Sequence, residues 1–405
     1  MKDNIVLHFL KVCSLLVLLL LTALSYHPMF SSFVTDWQDI NPLKKYIYLM
    51  MAVTFFFHIG IKSLLSESFI RNYFKWVLLI VLWGLIFVVF WDTTDYFGES
   101  KNVMIALMFI LIGYNAKLKN NELLIILISY SVMILYCVYC QIVSNFGGFI
   151  IADTYMQYGK NTLGVMTSSS CVAMGVVAIS LNKKYYCKIC LWGIALLLLF
   201  FTITIRARAA FIVTIFLILY ILYRKFKDNS NLKSLVVVVF ISLILGGVFL
   251  GMLQNLWDYI FDSFTQNQSS DLTSGRMSRN LFAIEIIAES PLFGNLITNY
   301  TYEWIHNYAL RQLSSYGILG SFPLMGLYVS LVVFVVKNVI KRKLTLLTLG
   351  YFVFMVPVII SWEEPTFPYA PGTGAILPFV LMGYSLFKQK DELQKCCVRC
   401  HKLPV

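Results

Sequence analysis

Five arginines and one histidine are the residues of this chain best suited to chemistry on an anion. Arg206 and Arg208 stand in a tight turn between two apolar runs, and Arg276, Arg279 and Arg311 lie in a polar stretch that also carries His306. A guanidinium is planar, keeps its charge in a half-buried site, and meets phosphate or carboxylate oxygens with two parallel hydrogen bonds. An imidazole of near-neutral pKa is suited to taking a proton from a hydroxyl. Together they describe a site that holds a phosphate-linked donor and activates an acceptor. The structural alternative is that the arginines pair with loop acids such as Asp271, Glu285, Glu289 or Glu303, and that the lone His is a satisfied packing residue. Tyr300, Tyr302 and Trp304 precede His306 and Asn307; they either stack on sugar rings or anchor the chain at a membrane interface.

The elements that must position these groups are membrane helices. Of the 405 residues, 59% are apolar and 13% charged, against about 25% charged in an ordinary soluble domain. No soluble core of this size hides so much apolar surface, which excludes a soluble enzyme and a disordered chain alike. Runs long enough to cross about 30 Å of hydrocarbon fall at 5–24, 46–61, 73–91, 102–116, 122–143, 162–181, 187–205, 207–223, 234–253, 316–336, 344–361 and 371–387. The expected fold is therefore an all-α polytopic membrane protein of about twelve transmembrane helices. Its expected parts are nine helices within 1–253, a long extracytoplasmic loop at 254–315, three helices within 316–387, and a basic tail at 388–405. No small-x-small cleavage site follows the first run, so it reads as a retained helix rather than a secretory signal.

Charge fixes the expected orientation. With the N-terminus inside, 23 of the 32 Lys and Arg fall on inner segments and 9 on outer ones, so the net +12 divides into +17 facing the cytoplasm and −5 facing out. This is the positive-inside pattern, with both termini cytoplasmic. It assigns the basic balance to topology and argues against a nucleic-acid partner. The five arginines oppose the acidic outer face, and inner loops use mostly Lys, so they are the informative exception. Within the long loop, Leu256–Phe261 is amphipathic and aromatic, Thr273 or Ser274 is placed to cap a helix running to about Glu289, and Pro291 stops it.

Three motifs in order then resemble the bacterial O-antigen polymerase and O-antigen ligase superfamily. They are Arg208-Ala209-Ala210-Phe211-Ile212; Ser274-Gly275-Arg276 leading to Ser290-Pro291-Leu292-Phe293-Gly294; and His306-Asn307-Tyr308-Ala309-Leu310 followed by Tyr316-Gly317-Ile318-Leu319-Gly320. The close match covers roughly 200–330. It departs from the family at Ala207, where Ser is common, at the extra Arg206, and at Gly294-Asn295-Leu296, where many members have Gly-x-Gly; either Arg206 or Arg208 corresponds to the family arginine. The resemblance implies a polytopic glycosyltransferase of the bacterial plasma (inner) membrane with its active site facing the periplasm or cell exterior. Its donor would be an undecaprenyl-diphosphate-linked oligosaccharide, and its other partners membrane lipid, flippase and chain-length regulator proteins. Arg208 and Arg276 would neutralise the departing diphosphate and His306 would be the base. Arg206, Arg279, Arg311, Asn307, Tyr300, Tyr302 and Trp304 would bind substrate, with no cofactor and no metal. A polymerase is favoured over an O-antigen ligase, and a flippase or other secondary transporter is the reading from a different class.

Cysteines add little to this. Cys137/Cys140 and Cys187/Cys190 lie in or beside spans and read as small apolar packing residues. The tail carries Cys396, Cys397, Cys400 and His401. Cys397-x-x-Cys400-His401 matches a c-type haem attachment pattern, and Cys/His sets of this spacing also bind zinc, but on the expected cytoplasmic side an inert or palmitoylated tail is the better expectation.

Overall fold

The computed structural model describes residues 2–30, 43–59, 67–91, 95–146, 160–181, 185–205, 207–229, 276–298, 305–364, 368–369 and 376–400. Every regular element among them is helical. The order is α1 (Lys2–Leu24), α2 (Lys44–His58), α3 (Ser68–Trp91), α4 (Asp95–Ala116), α5 (Asn120–Phe146), α6 (Lys160–Ser180), α7 (Tyr185–Thr204), α8 (Arg208–Asn229), α9 (Arg276–Glu289), the single turn α10 (Asn295–Thr298), α11 (Tyr308–Lys341), a 3-10 turn (Leu346–Thr348), α12 (Leu349–Ile360) and α13 (Ile376–Cys400). Eight of these, α1, α3 to α8 and α11, are long and apolar enough to cross a membrane. The chain is an all-α, multi-pass membrane protein. The expected spans at 46–61, 344–361 and 371–387 coincide with α2, α12 and the first half of α13, which fall outside that set of eight; α2 has 15 residues and α12 has 12. The expected span 234–253 lies outside the described residues.

The Ser- and Gly-rich run at 162–181 is the centre of the bundle. α6 is 94% buried and packs on α5, α7, α8 and α12. Small side chains let helix backbones approach when lipid offers no hydrophobic contrast. Ser168 donates to the Ala210 carbonyl of α8 at 3.1 Å, and a Cβ on Gly164 would stand 2.6 Å from that of Ala207. Cys137 and Cys171 are buried in this packing, whereas Cys190 is exposed.

Polar contacts between helices sort into two rims. At one, His8 meets Glu122 at 3.1 Å, Arg224 of α8 donates to the carbonyls of Val339 and Ile340 in α11, and Tyr384 reaches Asn120. At the other, Gln141 donates to the Tyr26 carbonyl, and Tyr96 donates to the Gly320 carbonyl. The first rim gathers the Lys-rich segments around 117–122, 337–343 and 388. The second gathers the segments that carry Arg276, Arg279 and Arg311.

α11 is a helical hairpin rather than one continuous rod. Gly317 has φ 63° and ψ −174°, a conformation open to glycine and strained for other residues. The arm 308–316 folds back along the arm 318–341, so that the rings of Tyr308 and Tyr328 lie 5.1 Å apart; an unbroken helix would separate them by about 30 Å. Residues 308–315, expected in the long loop, are thus helical and folded against the following span.

Candidate functional site

The loop helix α9 covers Arg276–Glu289 and ends before Ser290-Pro291, as its sequence signals require. Ala283 and Ile286 are its buried contacts. The turn that follows docks onto the Gly317 hairpin through backbone hydrogen bonds. Ile318 and Leu319 have lost their helical acceptors at the kink and donate instead to the carbonyls of Pro291 (2.8 Å) and Leu292 (3.1 Å). Gly294 has φ 59°, and a Cβ there would lie 2.4 Å from the Ser314 carbonyl oxygen; one on Gly317 would lie 2.3 Å from Leu292. Two motifs separated in sequence therefore form a single clasp, and its function is to fix α9 relative to the hairpin.

That clasp brings the charged residues together. Arg276, in the first turn of α9, donates to Glu363 at 2.6 Å and to Glu364 at 3.0 Å. Its charge sits at a helix N-terminus, where the macrodipole is unfavourable to a cation, and the two carboxylates offset that cost. Glu364 also accepts from Asn161 at the start of α6, at 2.7 Å. Arg279, one turn along α9, donates from Nη1 to Nε2 of His306 at 2.8 Å. Since an arginine only donates, Nε2 is the acceptor and the neutral ring carries its proton on Nδ1. Nδ1 is buried and has no hydrogen-bond partner among the described residues. Burial first, then the charges of Arg276 and Arg279, lower the His306 pKa to about 4.

The site lies at the C-terminal end of α12, away from the hairpin turn. α12 has 12 residues, about 18 Å of helix, well short of the hydrocarbon thickness. Its C-terminal Ser361 accepts from the Tyr308 backbone N–H at 2.9 Å and bonds the Tyr328 hydroxyl at 2.9 Å. Tyr328 is eleven positions beyond Gly317, so this level is about 16 Å below the hairpin turn. His306 and Glu363 each lie two residues from that level.

Several expected site residues are placed differently. Asn307 caps α11: its side-chain oxygen accepts from Leu310 N–H at 3.0 Å and its amide donates to the Trp362 carbonyl at 3.1 Å. Arg311 lies 3.7 Å from Glu99 of α4. Arg208 opens α8 beside Gly164, one turn from Asn161, on the same rim as Arg276. Arg206, Tyr300, Tyr302 and Trp304 lie outside the described residues, as do Asp271 and Glu303 of the expected acid partners. The partners found on Arg276 and Arg311 are Glu363, Glu364 and Glu99, which the loop-based expectation missed. The available signal was Glu363-Glu364 standing directly after an apolar run.

No protein-family model matches the chain, and no curated protein matches it.

In chemical terms the site combines two forked cations, a neutral imidazole and two carboxylates. Its arginines can bind an oxyanion, and the one lone pair of the neutral His306 ring is engaged by Arg279.

Proposed function

We propose that the protein is a membrane glycosyltransferase that polymerises lipid-linked oligosaccharide repeat units of O-antigen or capsule type. It uses an undecaprenyl-diphosphate-linked donor at the outer face of a bacterial inner membrane. The observation that carries this reading is the convergence of Arg276, Arg279 and His306 in one cluster, held there by the Gly294–Gly317 clasp. In this reading the Lys-rich rim is cytoplasmic and the rim with the arginines faces out. The diphosphate competes with Glu363 and Glu364 for the Arg276 fork, and Arg208 and Arg279 complete its seat. Fixed cations at the site where charge develops lower the barrier to departure by several kcal/mol. His306 removes the acceptor hydroxyl proton.

The test is a deletion strain complemented with Arg208→Ala, Arg276→Ala or His306→Ala. Deletion of a polymerase leaves surface glycan with single repeats, and each variant is expected to reproduce that at normal membrane levels. Absent surface glycan with polymer accumulating on the carrier would assign the chain as a ligase to lipid A-core. Unchanged glycan in the deletion strain defeats both.

A second reading, a flippase or other secondary transporter, draws on the broken helix at Gly317 and the Arg311–Glu99 pair within the bundle, features that transporters place near the membrane midplane. Detergent-solubilised protein separates the two. A glycosyltransferase extends lipid-linked repeats in micelles, where transport has no compartments to act between.

A further inference from the structure

The Arg279–His306 contact has a chemical consequence that rests on the glycosyltransferase reading. A neutral imidazole has one in-plane lone pair, and here it belongs to Nε2, which accepts from Arg279 at 2.8 Å. The other nitrogen carries the proton, so His306 in this arrangement has nothing with which to accept a hydroxyl proton. The same guanidinium fork binds a diphosphate better than it binds an imidazole, because both partners are then charged and two parallel bonds form. The charged groups facing His306 are Arg276 and Arg279 from α9, with Glu363 and Glu364 behind Arg276 from the segment after α12.

We infer that Arg279 is a lock on His306: its guanidinium occupies the Nε2 lone pair until the donor diphosphate draws it away, and only then is the base available. Binding the donor thus frees the base that activates the acceptor hydroxyl against it. In the step that follows, the acceptor hydroxyl proton passes to Nε2 and the acceptor oxygen bonds to the anomeric carbon. The bond from that carbon to the diphosphate oxygen breaks, and its electron pair leaves on the diphosphate. His306 ends as an imidazolium protonated on both nitrogens and returns the Nε2 proton to water, while Arg279 follows the product out and closes the lock again.

The experiment is nitrogen-15 NMR of ring-labelled histidine in the full-length protein in nanodiscs, titrated from pH 4 to 8 with and without undecaprenyl diphosphate. Phosphorus-31 NMR measures binding in the same samples. The chain has five histidines, and His306→Gln assigns the signal. The expected result is that bound diphosphate raises the His306 midpoint from about 4 toward 6.5 by about one unit or more and moves the Nε2 resonance. Arg279→Gln is expected to move that resonance with no diphosphate present; Arg279→Lys, which keeps the charge and removes the fork, serves if Gln fails to fold. Bound diphosphate with an unmoved His306 overturns the lock and leaves the diphosphate reading standing. No phosphorus-31 evidence of binding overturns both.

Discussion

The two rims of this bundle each contain an arginine that joins distant helices, and they use it in different ways. On the Lys-rich rim, Arg224 donates to the carbonyls of Val339 and Ile340 at the end of α11, at 3.1 and 2.7 Å. Those acceptors are orphan helix carbonyls, and no ligand replaces a guanidinium there without unmaking the helix end. On the opposite rim, Arg276 donates to Glu363 and Glu364, whose carboxylates a ligand oxyanion can exchange for its own oxygens. An arginine bonded to main chain is a fastener, whereas one bonded to side-chain acids has partners that an anion can replace.

The contrast breaks most sharply at Arg276. Arg276→Ala is expected to lower glycan transfer by about 10²- to 10³-fold, the range for removing one fixed stabiliser of transition-state charge, with membrane abundance near wild type; wild-type transfer would make the arginine a fastener after all. Gly317→Ala is next. It forces a side chain into a left-handed position where Leu292 backbone stands 2.3 Å away, and a stability loss of about 3 kcal/mol or more is expected, read as a lowered thermal midpoint in detergent.

Arg224→Met sharpens the comparison from the other side. Losing hydrogen bonds from a charged donor costs roughly 1.5–3 kcal/mol and should lower the melting temperature, while transfer per folded molecule is unchanged. The pH dependence follows from His306. Its folded pKa of about 4 lies below the ordinary 6.5, so as pH falls through that window the unfolded chain binds a proton that the folded site refuses. Stability therefore declines between pH 6.5 and 4, and His306→Gln should flatten that slope in melting curves. The smallest effect is expected from deleting 391–405, which should leave transfer intact; loss of activity at normal expression would give the Cys-containing tail a role.

Much of the bundle was legible in hydropathy, because a membrane helix must satisfy its backbone internally and announces itself as a long apolar run. The Ser- and Gly-rich run at 162–181 is one of the less clear spans in hydropathy, yet α6 is the most buried of the eight, since small residues are what the centre of a helical bundle selects. The hairpin was hidden. Tyr316-Gly317-Ile318-Leu319-Gly320 averages as an ordinary span opening, and hydropathy carries no information about a positive φ. Helix α9 and its Pro stop were legible to within a few residues, while the expected cap at Thr273 or Ser274 lies outside the described residues. The ion pairs were not legible: Arg276 meets acids 87 and 88 positions away, a separation no local pattern reveals. Nor does the sequence tell that the Asn307 amide, beside His306, caps a helix and holds the Trp362 carbonyl.

The clasp between Pro291-Leu292 and Ile318-Leu319 is made from main-chain N–H and C=O groups, which every residue but proline supplies equally. Leu292, Ile318 and Leu319 are each about half exposed, so their side chains are nearly irrelevant to it. The joint is accordingly indifferent to the identity of those three residues and intolerant at its glycines. In a saturation-mutagenesis map Leu292, Ile318 and Leu319 should appear as pale columns beside dark ones at Gly294, Gly317 and Gly320, where an added Cβ would stand 2.4, 2.3 and 2.5 Å from its nearest neighbour.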